Sequence, residues 1–291
     1  MFMVRRRPAP HPVLLVLTGV VSVQTGAAVA KQLFPVLGPV GTVFLRLAVG
    51  ALVLGPVAVG VIRAARRGAL RLAVLFGLVL AAMNLCFYLS LTRVPLGIAV
   101  TVEFLGPLAV AVAGSRRPRD LVWAALAAVG VVVLTGGGQA LVSGRLDALG
   151  LALALLTGVF WAGYIVLSQR VGSALPGVSG LGVALVVAAV VVAPVGIAQA
   201  GTRLLEPHLL LLGVAVGLLS SAVPYALEMA ALRRLGAGTF GVLMSLEPAV
   251  ASVVGVAVLR EHLGIGEVVG VVLVCLASAG ATRAPVTAPE A

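Results

Sequence analysis

The chain has 291 residues, of which 61% are hydrophobic and only 10% charged, whereas a soluble globular protein carries about 25% charge. That balance excludes a soluble domain and leaves an integral membrane protein. The formal net charge of +11 would suggest a nucleic-acid partner in a soluble chain, but here the arginines follow membrane topology and no nucleic acid is expected.

Ten apolar segments are predicted in chain order, at 12–31, 39–61, 70–91, 96–114, 120–137, 147–168, 178–198, 207–231, 238–259 and 265–283. Each matches the roughly 18 residues or more that mark a membrane helix. The connections are short and rich in Gly, Pro and Arg, and the tail from Arg283 is polar. With the N-terminus inside, Arg5, Arg6, Arg7, Arg63, Arg66, Arg67, Arg71, Arg116, Arg117, Arg119, Arg170, Arg233, Arg234 and Arg283 fall on the cytoplasmic side. Lys31, Arg93, Arg145, Arg203 and Arg260 fall opposite, and Arg46 lies alone inside a span. This asymmetry puts both termini in the cytoplasm.

Arg5–Arg7, an apolar run and then Ala28-Val29-Ala30 also resemble a cleaved signal peptide. However, Leu17-Thr18-Gly19-Val20 recurs as Leu156-Thr157-Gly158-Val159, at a shift of 139 residues. Pro107 and Pro248, Arg93 and Arg234, and Gly97 and Gly238 are each 141 apart. The first segment therefore belongs to a repeat and is expected to be retained. Two five-span copies, 1–141 and 142–291, must cross the membrane in opposite senses. The predicted fold is all-α, with ten transmembrane helices as two inverted five-helix repeats. Transporters built this way bind substrate near the midplane between the halves.

Glu103 stands four residues before Pro107 in the fourth segment, and Glu247 stands directly before Pro248 in the ninth. An acid at this depth costs several kcal/mol and is a functional hypothesis by default. Glu103 is roughly 10 Å deep at 1.5 Å per residue, beyond easy snorkelling. Each proline lacks an amide hydrogen, freeing the carbonyl of Glu103 or Met244. A free carbonyl beside a carboxylate suits a cation or a proton; an ion pair of Glu103 with Arg46 is the structural alternative. For Glu247 the alternative is a packing role beside a kink. The Arg46 guanidinium suits bidentate recognition of a carboxylate, from substrate or from a glutamate.

Asn84 and Tyr88 stand at i and i+4, and Ser221, Tyr225 and Glu228 at i, i+4 and i+7, so each set shares a helix face. Polar stripes in apolar helices point into the bundle, although interhelical hydrogen bonding accounts for many of them. Glu228 also lies near Arg233 and Arg234, where it can be solvated. Gln24 and Tyr164 fall near matching repeat positions and are weaker candidates.

No enzyme signature is present. His11, His208 and His262 lie at span ends or in loops, and no His-Glu-x-x-His or Gly-x-Ser-x-Gly motif occurs. Gly136-Gly137-Gly138 lacks the Lys-Ser/Thr of a phosphate loop and is expected to end the fifth helix. Cys86 and Cys275 lie in apolar runs, with no disulfide framework and no metal-binding spacing. No cofactor is expected. Gly213 with Gly217 and Gly266 with Gly270 are spacings for close helix packing.

The run from Asn84 to Asp120, containing FYLSLTRVPLGIAVTVEFLGPLAVAVAGSRRPRD, resembles the drug/metabolite transporter superfamily. SSAVPYALEMAALRRLGAGTFGVLMSLEPAVASVVG, from Ser220 to Gly255, and LALALLTGVFWAGYIVLSQRVG, from Leu151 to Gly172, are similar to the EamA-type threonine and homoserine exporters. The resemblance implies proton-driven export of small amino acids across a bacterial inner membrane, and it carries over Glu103 and Glu247 with their prolines. The implied partners are an amino-acid substrate, a proton and the lipid bilayer, with a homodimer left open. Arg260 is a departure, since related sequences usually place glycine just before the acid matching Glu261. The alternatives are a multidrug or metabolite exporter of the same superfamily, and a passive channel or structural membrane protein.

Overall fold

A computed structural model describes residues 11–113, 121–135, 142–144, 146–176, 178–224, 227, 231, 235 and 237–282. The described elements are all helical, as a chain surrounded by lipid requires, because a helix satisfies its own backbone polar groups. They are α1 (Pro12–Ala64), α2 (Arg67–Leu91), α3 (Leu96–Glu103), α4 (Leu105–Ala113) and α5 (Leu121–Leu134). Then come α6 (Ala148–Ala174), α7 (Ser179–Ala200), α8 (Pro207–Gly217), α9 (Ala237–Met244), α10 (Glu247–Leu259) and α11 (Ile265–Thr282). A 3₁₀ turn (Gly201–Leu205) joins α7 to α8, and a π turn (Leu218–Ala222) follows α8. Seven stretches of described helix are long and apolar enough to cross a bilayer. Outward-facing residues such as Leu52, Val129, Val190, Val195 and Val253 are exposed and apolar, which suits a lipid-facing surface.

The 53 residues of α1 are two rods. Gly38 breaks them with φ 71° and ψ 162°, a backbone that L side chains avoid. Ser22 Oγ donates to the Leu219 carbonyl at 2.8 Å, and Arg46 Nη2 donates to the Ser220 carbonyl at 3.2 Å. A straight helix would hold residues 22 and 46 roughly 36 Å apart. The chain therefore doubles back at Gly38, and the first rod runs on past the expected end at residue 31 to Leu37. Gln199 of α7 caps the second rod, its Oε1 accepting from the amides of Val40 at 2.8 Å and Gly41 at 3.1 Å.

The bundle packs in two main apolar clusters. One joins the second rod of α1 to α2, α7 and α8 through Leu45, Leu47, Phe76, Ala184, Ala188 and Val216. The other surrounds α3, through Leu96, Ile98, Val100, Ala154, Ala251 and Val274. Glycines set the closest crossings. A Cβ on Gly213 or Gly217 would strike Leu45 or Val49, as that small-residue spacing predicts; in the second pair one on Gly270 would meet Leu134, whereas one on Gly266 would only touch the Val133 carbonyl at 3.4 Å. The glycine triplet at 136–138 lies outside the described residues, just beyond the α5 end at Leu134. Cys86 and Cys275 are both free.

One end of the bundle is tied together by polar contacts. Lys31 Nζ reaches Glu261 Oε1 at 2.7 Å and the Val94 carbonyl at 3.2 Å. Glu261 Oε2 accepts from the Leu96 amide at 2.8 Å, capping α3. This clasp joins α1, the turn before α3 and the turn after α10. At the same end Asp147 caps α6, accepting from the Gly150 amide at 2.7 Å, and pairs with Arg93 at 3.0 Å. The Gly150 hydrogen bond first, and then Arg93, hold the Asp147 carboxyl below its usual range. Arg203 adds a bond to the Val36 carbonyl at 3.0 Å.

Candidate functional site

Both buried acids stand at interruptions of a span. α3 ends at Glu103, Phe104 intervenes, and α4 carries Pro107. α9 ends at Met244, Ser245 and Leu246 form a turn, and α10 begins at Glu247 with Pro248 in its first turn. Broken helices near the midplane are where transporters of repeated architecture place polar groups, because the interrupted backbone and the acid share one level. Glu103 is 8% exposed and Glu247 6%.

The freed carbonyl of Glu103 does not face a ligand space. A Cβ on Gly158 would come within 2.6 Å of that oxygen, and one on Gly106 would overlap the Gly158 carbonyl. The Pro107 break thus seats α4 directly on α6 at a Gly106–Gly158 crossing. This corrects the pairing of carbonyl and carboxylate expected from the proline spacing: only the carboxylate remains for ligand chemistry.

That carboxylate opens on a cavity of about 410 Å³ between the two halves of the chain. Its polar lining comprises Gln24, Arg46, Asn84, Glu103, Thr157, Tyr164, Ser220, Glu247, Ser278 and Thr282, and Trp161 and Phe104 supply an aromatic wall. Those two rings meet edge to face at 5.0 Å. The cavity runs from the bundle middle toward the end where α4 and α11 finish, away from the clasp. Its volume is within the range of small-molecule sites and is ample for an amino acid with water.

Arg46 forms no salt bridge with a carboxylate among the described residues. Its Nη1 donates to the Tyr88 hydroxyl at 3.2 Å and its Nη2 to the Ser220 carbonyl. Its guanidinium carbon also lies 5.6 Å from the centre of the Tyr88 ring. The ion pair with Glu103 offered as a structural alternative is therefore not formed. Gln24 Nε2 donates to Glu247 Oε1 at 2.9 Å, and Asn84 Nδ2 donates to the Leu80 carbonyl at 2.8 Å.

Of the residues predicted for the site, Glu103, Arg46, Asn84, Glu247 and Pro107 line the cavity together. Tyr88 is fully buried behind Arg46 and holds it, and Pro248 is buried beside Glu247 without lining the cavity. Tyr225 and Glu228 lie outside the described residues, and Ser221 falls in the π turn, where the spacing of a regular helix face does not hold. Gln24 and Tyr164, the weaker candidates, both line the cavity, whereas Thr157, Trp161, Ser220, Ser278 and Thr282 had no place in the expected site. Thr157 stood inside the repeated Leu-Thr-Gly-Val motif, a signal that could have found it.

Residues 148–283 match the model of the EamA-like transporter family. Over 279 residues the chain is 44% identical to the threonine/homoserine exporter RhtA of Salmonella typhimurium LT2, covering 96% of this chain and 93% of that protein. It is 43% identical to the threonine/homoserine exporter RhtA of Escherichia coli K12, with the same coverage of each. One solved crystal structure superposes with a TM-score of 0.60 over 93% of this chain and 96% of its own, at 18% identity, a likeness of fold alone.

Proposed function

The chain belongs to the EamA-like transporter family, and from that premise we propose that it exports small amino acids of the threonine and homoserine type by proton antiport across a bacterial inner membrane. The observation that carries this reading is a single cavity whose lining holds an arginine and two carboxylates. A zwitterion stripped of water needs a partner for each pole. Arg46 receives the carboxylate, held in place by Tyr88 and the Ser220 carbonyl. Glu103 and Glu247 receive the ammonium.

Proton coupling follows from competition. An ionised Glu103 holds the ammonium; a proton arriving from the acidic side neutralises it and releases the substrate there. The neutral form then returns the proton to the other side. Asn84 and Gln24 line the same cavity.

The architecture we infer is ten spans in two inverted five-helix repeats, 1–141 and 142–291, with both termini cytoplasmic. The reversal at Gly38, the helices interrupted at Glu103 and Glu247, and the arginine asymmetry support it. On that topology the clasp lies at the outer end and the cavity runs toward the cytoplasm. The test is uptake of labelled threonine and homoserine into inverted membrane vesicles with an acidic lumen. Uptake that an uncoupler abolishes is expected; uptake indifferent to the proton gradient would overturn antiport.

A further inference from the structure

Two residues that line the cavity each carry a buried side-chain oxygen with no hydrogen-bond partner among the described residues, Gln24 Oε1 and Ser220 Oγ. Gln24 is 2% exposed and Ser220 4%. Buried polar atoms in native structures are nearly always bonded, so an orphan calls for an explanation, and two orphans on one ligand cavity share one. Each belongs to a residue already bonded to a charged member of the site. Gln24 donates its Nε2 to Glu247 at 2.9 Å, and Ser220 offers its carbonyl to Arg46 at 3.2 Å. With Glu247 ionised, the first bond fixes the amide orientation, because the flipped amide would set oxygen against oxygen. Ser220 also lies in the π turn Leu218–Ala222, a distortion that recurs at functional sites.

The chemistry of the pair is selective. Gln24 Oε1 only accepts, and a serine hydroxyl donates as well as accepts. An added carboxylate would meet the amide oxygen unfavourably, and an aliphatic group would satisfy neither atom. A ligand hydroxyl can donate to the amide oxygen and accept from the serine. Resting on the amino-acid export reading, we propose that Gln24 and Ser220 form a subsite that reads the side-chain hydroxyl of the substrate and selects hydroxy amino acids over their deoxy analogues. The ligand named in the relatives is threonine or homoserine, whose hydroxyls sit on the β and γ carbons respectively. Two separate partners, one beside each charged pole, let one cavity accept either position. Sites built to bond a hydroxyl discriminate strongly against ligands that lack it, because binding the analogue leaves the polar groups unmet.

The decisive comparison uses 2-aminobutyrate, the deoxy analogue of both threonine and homoserine. Purified protein in proteoliposomes with an acidic lumen is expected to take up threonine with a kcat/KM about 100-fold above that of 2-aminobutyrate. Gln24→Met and Ser220→Ala should each shrink that ratio by about tenfold or more, by raising the threonine KM relative to that of 2-aminobutyrate. Ser220→Thr, which keeps a hydroxyl, should retain the preference. Trp161 lines the same cavity, so its fluorescence gives a Kd for each ligand in detergent, even for a variant that transports slowly. An unchanged ratio in both variants, with threonine still carried, overturns the subsite and leaves export standing. Failure of the wild type to carry either amino acid overturns the export reading and the subsite together.

Discussion

Glu103 holds its position by backbone packing and leaves its carboxylate for the cavity. Its carbonyl is pressed on Gly158, and its side chain forms no salt bridge with Arg46. Glu103→Gln keeps the shape and removes the titrating group. Uptake driven by a pH gradient should fall at least about tenfold, with elution and thermal unfolding in detergent unchanged; coupled uptake at the wild-type rate would remove Glu103 from the proton path. The two acids and Arg46 were legible in the sequence because a charge inside an apolar run is costly and rarely incidental. Gln24 and Ser220 were not, because an amide or hydroxyl in a membrane helix usually finds a neighbouring helix to bond. Their orphaned atoms are a tertiary fact, created by what α10 and the second rod of α1 bring to each side of them.

At the scale of elements, the seven described stretches of membrane-length helix were readable because apolar length alone sets them. Interruptions were less so. Pro107 announces a missing amide but not that α3 stops at Glu103, and nothing near Leu218–Ala222 marks a π turn by composition. The first rod of α1 outran its expected end because Lys31 and Gln32 extend to polar partners while the helix continues to Leu37. Arg260 shows a local departure with a physical cost. It terminates α10 with φ 56° and ψ 34°, in the left-handed region that glycine occupies without penalty. Its side chain is exposed, so little packing is lost on removal. Arg260→Gly should stabilise the protein by about 1 kcal/mol, seen as a rise of roughly 2–4 °C in Tm in detergent. A fall in Tm would mean that the arginine side chain contributes more than its backbone costs.

The whole molecule is sealed at one end and hollow toward the other. Lys31, Glu261, the Val94 carbonyl and the Leu96 amide close the end remote from the cavity mouth. On the proposed alternating-access cycle this clasp would have to part. With Lys31→Cys and Glu261→Cys in a background lacking Cys86 and Cys275, a short cleavable thiol cross-linker should stop transport. Reduction should restore it. Full transport by the cross-linked protein would show that the outer passage does not run between α1 and the turn after α10.

A carrier that rests with its outer end latched has an economy for the cell. On the proposed antiport and topology, the latched state would keep protons in the medium from the buried carboxylates when cytoplasmic cargo is scarce, so the idle protein would not short-circuit the membrane. On the same proposal its turnover would be set by surplus inside, like a relief valve whose opening pressure is the cargo concentration itself.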